Sequence, residues 1–204
     1  MLGKVAMLIG RTSKTAADPG RTVDGSADEA VLLRRIAAGD RLAFETLYRG
    51  YFPRLTRFLE RVVRRPHVVE EVLNDAMLVV WRKAGSFNGQ SKVSTWIFSI
   101  AYRKALKAIG RFDEPVESDD RDFESTLPGP EDTLMQKQRW ALLLQQIGRM
   151  STEQRTVIEL TYYHGCAYRE IAQIMGCPVD TLKTRMFHAR KRLRQFLSER
   201  AGEF

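Results

Sequence analysis

Twenty residues in the middle of the chain, Asp113 to Asp132, hold three prolines, nine acidic side chains and a single basic one, Arg121, for a local net charge of −8. No helical period runs through them, and like charges at this density favour an extended, mobile chain. The stretch reads as a linker, so the 204 residues are expected to form two small domains, one on each side of it. Composition leaves open whether the acidic run is a solubilising spacer or acts on a partner.

Both flanks carry apolar residues three and four apart, the period of an amphipathic helix, and no stretch alternates over strand length. The expected fold class is all-α: two small helical domains joined by an acidic flexible linker, the second a helix-turn-helix. Residues 1–25 lack any such period and read as a disordered extension, followed by a first domain at 26–112, the linker at 113–133 and a second domain at 134–204. In the first domain Val31, Leu32 and Ile36 mark a short helix stopping near Gly39. Phe44, Leu47, Tyr48, Tyr51, Leu55, Phe58, Leu59 and Val62 mark a long one that Pro53 kinks or splits. Arg54, Arg57, Arg61 and Arg64 recur on another face of it, as a solvated stripe or a binding surface. Pro66 suits the first turn of a third helix ending near Gly85, with Val69, Val72, Leu73, Ala76, Met77 and Val80 inward and Glu70, Glu71, Asn74 and Asp75 outward. After the loop Phe87 to Ser91, a fourth helix turns Trp96, Ile97, Ile100, Ala101, Ala105 and Ala108 inward.

In the second domain, Trp140, Leu143, Leu144 and Ile147 give one helix, and Ser151-Thr152-Glu153-Gln154 is a capping-box pattern opening the next, with Val157, Ile158 and Thr161 inward. Tyr168 to Arg185 then reads as a helix-turn-helix: Ile171, Ala172 and Ile174 buried, Gly176 at the turn, and a second helix from near Pro178 that buries Leu182, Met186 and Leu193. From Asp180 to Arg200 seven basic residues face two acidic ones. Motif and charge together point to a helix in a DNA major groove.

The whole chain carries 33 Lys and Arg against 25 Asp and Glu, a net charge of +8, which favours polyanion partners. Its longest early apolar run, Val5 to Ile9, is too short for a signal peptide core or a membrane span, so a cytoplasmic protein without membrane insertion is expected. His164, Cys166 and Cys177 lack a fourth ligand and the usual zinc spacing, so no metal is expected. No Ser-His-Asp set or Gly-rich phosphate loop suggests an enzyme.

Phe44-Glu45-Thr46-Leu47-Tyr48, the run Val68 to Trp81, Phe87-Asn88-Gly89 with Ser94 to Ala101, and then Ser151 to Leu160 with Gly165 to Arg194 resemble, in that order, the extracytoplasmic-function RNA polymerase sigma factors. The resemblance spans roughly Asp28 to Leu197. Asn74-Asp75 stand where the family more often has Gln-Glu, and Arg103 where Asn is frequent. The resemblance implies that Glu70, Glu71, Asn74 and Asp75 bind core RNA polymerase at the clamp helices of its largest subunit, the rival reading being a plain charged surface. It implies that Asn88, Gln90, Ser91, Lys92, Trp96, Arg103, Lys104 and Lys107 hold the minus-10 promoter element, with Trp96 reading first as core and second as a stacking platform. Thr181, Lys183, Thr184, Arg185, Phe187, His188, Arg190 and Lys191 would contact the minus-35 element, and the linker would thread the polymerase's RNA channels. The implied partners are core polymerase, promoter DNA and an anti-sigma factor, with no cofactor, no catalysis, and work at the nucleoid on a stress or envelope-response regulon. A stand-alone helix-turn-helix regulator is the competing class, and it leaves the first domain without a role.

Overall fold

The structure, a computed structural model, describes residues 25–111 and 134–199, with side chains over 28–111 and 141–199. The expectations for residues 1–24, for the acidic linker and for Trp140 as a core side chain lie outside the described residues, and Gly25, expected to end the disordered extension, is already helical. Among these residues there are eight α-helices and no strand: α1 (Gly25–Ala37), α2 (Arg41–Val63), α3 (Pro66–Lys83), α4 (Val93–Ile109), α5 (Leu134–Gly148), α6 (Thr152–Tyr162), α7 (Tyr168–Met175) and α8 (Val179–Glu199). A short 3-10 turn, Ala84–Ser86, follows α3.

The helix ends follow from local chemistry. Gly39, at φ +88°, makes the turn after α1, and the Asp40 carboxylate then accepts the Ala43 N–H at 3.1 Å to cap α2. That N–H, with the Arg35 guanidinium 2.7 Å away, holds the Asp40 carboxyl below its ordinary range. Pro53 removes one ladder bond from α2 without splitting it. Leu47, Tyr51, Leu55, Phe58, Leu59 and Val62 are all buried along its length, so packing on both sides of the proline holds the helix. Pro66 occupies the first turn of α3. Ser151 Oγ accepts the Gln154 N–H to open α6, and Gly176, at φ +63°, turns α7 into α8.

Helices α2, α3 and α4 pack on one another, with α1 across them, as the first half. Helix α4 buries more than a single stripe. Ile97, Ile100, Ala101, Ala105 and Ala108 are buried, and so are Thr95, Phe98, Ser99 and Tyr102 around the helix. The second enclosure comes from the other half: α7 packs on α4, and α6 packs on α2. Helix α6 mirrors this, with five consecutive residues, Thr156 to Leu160, buried. No single stripe contains five neighbours, so α6 is covered on several sides. Its Val157 and Leu160 join the first half's core, together with Ile171, Ile174, Leu182 and Met186. Its Ile158 joins Leu143, Ile147, Met150, Ala189 and Leu193 in a smaller core beneath α8.

Polar groups tie the halves as well. Arg155 of α6 donates to the carbonyls of Arg61 and Val62 at the end of α2 and, within its own half, to Met150 O at 2.6 Å, Gly148 O and Thr152 Oγ1. It thereby satisfies helix-end carbonyls that have no partner inside α2. Burial, then the neighbouring Arg64, pulls its pKa down to about 10, so it stays charged at neutral pH. Arg64, in the left-handed region at φ 56°, donates from Nη1 to Gly148 O at 2.6 Å. Replacing Arg155 by Met should therefore destabilise the chain by about 2–3 kcal/mol, the scale of losing charged hydrogen bonds and stranding carbonyls. The urea midpoint measures it, and Arg155→Lys, with one compact ammonium, should recover only part of the loss.

Candidate nucleic-acid and polymerase interfaces

The outward face of α3 is acidic but not unpaired. Glu70, Glu71 and Asn74 are exposed and Asp75 is half-buried. Asp75 pairs with Lys104 of α4 at 2.9 Å, and Glu71 lies 3.8 Å from Arg111. Asn74 Oδ1 accepts from the Tyr48 hydroxyl at 2.9 Å. The Asp75–Lys104 pair joins the residues expected to bind polymerase to those expected to bind the minus-10 element.

Beside Asn74 runs an apolar strip of which the sequence reading took Phe44 and Tyr48 for core and passed over Phe52. Phe44, Tyr48 and Phe52 follow one another at i, i+4 along α2 with ring centroids 6.1 and 5.7 Å apart, and Trp81 of α3 meets Phe44 edge-on at 5.2 Å. Phe52 and, one turn after Asn74, Leu78 are exposed. The strict four-residue spacing of the three rings was the available signal: a period of four drifts off a 3.6-residue stripe and carries the last ring to the surface.

In the minus-10 group, Asn88 Oδ1 accepts the Gln90 N–H across Gly89, at φ +72°, fixing the loop before α4. Asn88, Gln90, Lys92, Arg103 and Lys107 are exposed, and Ser91, Trp96 and Lys104 are half-buried. Trp96 packs on Phe87 at 5.6 Å with part of its ring accessible, so it is both core and surface. Arg103 Nη2 donates to Ser99 Oγ. Lys92 Nζ lies 2.8 Å from Glu170 Oε1 of α7, in the other half, and that hydrogen bond raises the lysine's pKa. Glu170 is the second residue missed. Its other carboxylate oxygen accepts the Ala167 N–H at 2.8 Å, so one side chain caps α7 and binds the first half.

The helix-turn-helix is α7 and α8. Thr181, Lys183, Thr184, Phe187, His188 and Lys191 lie exposed on α8, with Phe187 62% accessible, an unusual exposure for a large ring. Lys183 Nζ pairs with Asp180 at 2.9 Å. Arg185 and Arg190, by contrast, are half-buried. Arg185 Nη1 reaches Cys177 Sγ at 3.6 Å, and Arg190 donates twice to the Tyr162 hydroxyl at 2.8 and 3.2 Å. The structure brings six of the eight minus-35 candidates onto one open surface and sets the other two as braces between α8 and its support.

Family models for sigma-70 region 2 and sigma-70 region 4 match residues 47–114 and 134–193. The RNA polymerase sigma-H factor of Pseudomonas aeruginosa is 30% identical over 171 residues, covering 78% of this chain and 89% of that protein. The ECF RNA polymerase sigma-E factor of Escherichia coli K12 is 31% identical over 176 residues, covering 80% and 91%. Among solved structures, CnrH in complex with the cytosolic domain of CnrY is similar in fold, with a TM-score of 0.62, 21% identity and coverage of 84% and 97%. The sigma factor RpoE in complex with the anti-sigma factor NepR from Bartonella quintana gives 0.57, 24%, and coverage of 76% and 96%.

Position along α8 would separate two kinds of DNA contact in a helix docked by its start. Lys183 lies in the second turn from the start of α8, where a docked helix meets base edges, and a good base contact is worth about 1–3 kcal/mol of discrimination. Lys183→Ala should relax sequence preference at one or two positions. Arg192 is more than two turns further on, where a helix docked by its start would run beside the backbone, and Arg192→Ala should weaken binding to every sequence alike and lower the salt slope by about one ion. Selection from a randomised duplex library at two salt concentrations reads both. A Lys183→Ala profile equal to wild type, with a changed Arg192→Ala profile, would contradict this docking.

Proposed function

The chain belongs to the extracytoplasmic-function sigma factors of the sigma-70 family, and from that premise we propose how its two halves share the work of initiating transcription. A protein of this family is a promoter-directing subunit and not an enzyme. On our reading, residues 26–112 bind core RNA polymerase and open the minus-10 element, residues 134–204 read the minus-35 element, and residues 113–133 connect them through the polymerase. The chain would act in the cytoplasm, at the nucleoid.

The observation that carries the division is the contrast between the two exposed surfaces. The α3 face presents Glu70, Glu71 and Asn74 beside the apolar strip of Tyr48, Phe52 and Leu78, which suits a protein partner: a desolvatable patch with a charged rim. The α8 face presents Lys183, Thr184, Phe187, His188 and Lys191 in a strongly basic helix, which suits a major groove. A stand-alone regulator would need only the second. The fold shared with the sigma factor RpoE, solved in complex with the anti-sigma factor NepR, supports an anti-sigma factor as a further partner for this chain.

Run-off transcription with purified core polymerase tests the assignment. Wild type should direct specific transcripts that core enzyme alone does not make. Glu70→Lys with Glu71→Lys should weaken core binding by about tenfold, the cost of roughly 1.4 kcal/mol at a charged rim, while leaving the helical signal unchanged. Equal core affinity in a pull-down would remove the α3 face from the interface.

A further inference from the structure

The end of α2, the end of α4 and the turn from α5 into α6 meet around a cavity of about 430 Å³. That volume falls within the roughly 300–1,000 Å³ of small-molecule sites. Arg64, Arg149 and Arg155 line it, with Thr152 between them and Val63 and Ile109 as its apolar wall. Among the described residues no carboxylate lines it.

The charge of this cavity is not balanced from within. Arg64 Nη1 and Arg155 Nη1 donate to one and the same carbonyl, Gly148 O, at 2.6 and 3.4 Å, so two cations share a neutral acceptor. Their repulsion shows in Arg155, whose charged form Arg64 disfavours. Glu153, two residues before Arg155, is held by its own N–H and the Ser151 hydroxyl, and Arg185 acts on it more strongly than Arg155 does. The third cation stands differently. Arg149 is exposed at the rim, and its side chain makes no hydrogen bond or ion pair among the described residues. Arg155 is anchored at Nε, Nη1 and Nη2 by carbonyls and Thr152 Oγ1, so it offers charge at a fixed place, while Arg149 offers a movable fork of donors.

We propose that this cavity binds the diphosphate group of a small molecule, either inorganic pyrophosphate or a nucleoside diphosphate. A lone carboxylate would leave most of the positive charge unmet. A diphosphate meets it, with oxygens that suit the planar guanidinium fork and can accept two N–H groups at once. The space beside Val63 and Ile109 then admits whatever carries the diphosphate. None of the lining residues belongs to the exposed faces of α3 or α8, so the site is separate from the polymerase and promoter surfaces proposed above.

Isothermal titration of the full chain in metal-free buffer tests the site, with inorganic pyrophosphate, ADP and inorganic phosphate as probes. Pyrophosphate and ADP should bind, and phosphate at least tenfold more weakly. ADP binding tighter than pyrophosphate would assign the carrier to the apolar wall; pyrophosphate binding alone would make the inorganic ion the ligand. Arg149→Ala, at an exposed position, should weaken pyrophosphate about tenfold. Arg64→Asn, which tolerates the left-handed backbone there, should weaken it as much or more. Lys191→Ala, on the basic face of α8, should leave it unchanged. Failure of pyrophosphate and ADP to bind would overturn the proposal, as would phosphate binding equally well. Loss with Lys191→Ala but not with Arg149→Ala would mean adsorption to α8, and would overturn it too. One further variant replaces Asp119, Asp120, Asp122 and Glu124 by their amides. Pyrophosphate that binds this variant and not wild type would mean that the chain's own carboxylates take the place of the diphosphate, and would equally overturn the proposal.

Discussion

Helix α4 is the element around which the rest is arranged, because it is enclosed from two directions by helices of both halves. On one side Ile97, Ala101 and Ala105, each fully buried, let α2 and α3 pack against it. On the other, Phe98 meets His164, and α7 lies along the helix. Small Ala101 and Ala105 permit close packing on the first side, and the Phe98 ring bridges the two, meeting Phe58 of α2 at 5.1 Å and His164 at 4.9 Å. An amphipathic helix with one partner has one buried stripe; α4 has a core face, a face toward the second half and a basic remainder. Of the expected minus-10 contacts, Trp96, Arg103, Lys104 and Lys107 lie on what is left of its surface, and Asn88, Gln90, Ser91 and Lys92 on the loop that leads into it.

Charge is distributed unevenly over the surfaces. Acidic side chains gather on α3, basic ones on α8, and the two signs meet at Asp75–Lys104 and Lys92–Glu170. Such partly exposed pairs contribute modestly to stability. Arg155 and Arg190 behave differently: half-buried, the one committed to several acceptors and the other twice to the Tyr162 hydroxyl, they are structural cations in a basic protein.

Much of this was legible in the residues. Apolar spacing located α1 to α8, because each helix buries a stripe and the period of that stripe is local information. Ser151, Pro66 and Gly176 marked their ends for the same reason. Exposure on α8 followed for Thr181, Lys183, Thr184, Phe187, His188 and Lys191 by elimination from Leu182, Met186 and Leu193. Arg185 and Arg190 escaped that logic because Cys177 and Tyr162, their partners, lie on other elements. The stripe of Arg54, Arg57, Arg61 and Arg64 was readable as a pattern, yet Glu159, the buried carboxyl whose charged form Arg61 and Arg57 favour, stands about a hundred residues away. A single sequence holds no record of such a pairing. Phe98 and Tyr102 were visible as apolar residues outside the α4 stripe, and five neighbours from Thr156 to Leu160 were visible as mostly apolar. Both signs of two-sided burial were present, but neither says what covers the second side.

The account's central claim is that the two halves share one core through α4, and differential scanning calorimetry of the free full-length chain tests it most directly. A shared core predicts a single cooperative transition with a ratio of calorimetric to van't Hoff enthalpy of about one. Two resolved transitions, or a ratio of about two within one peak, would mean that the halves unfold independently, and would contradict the claim.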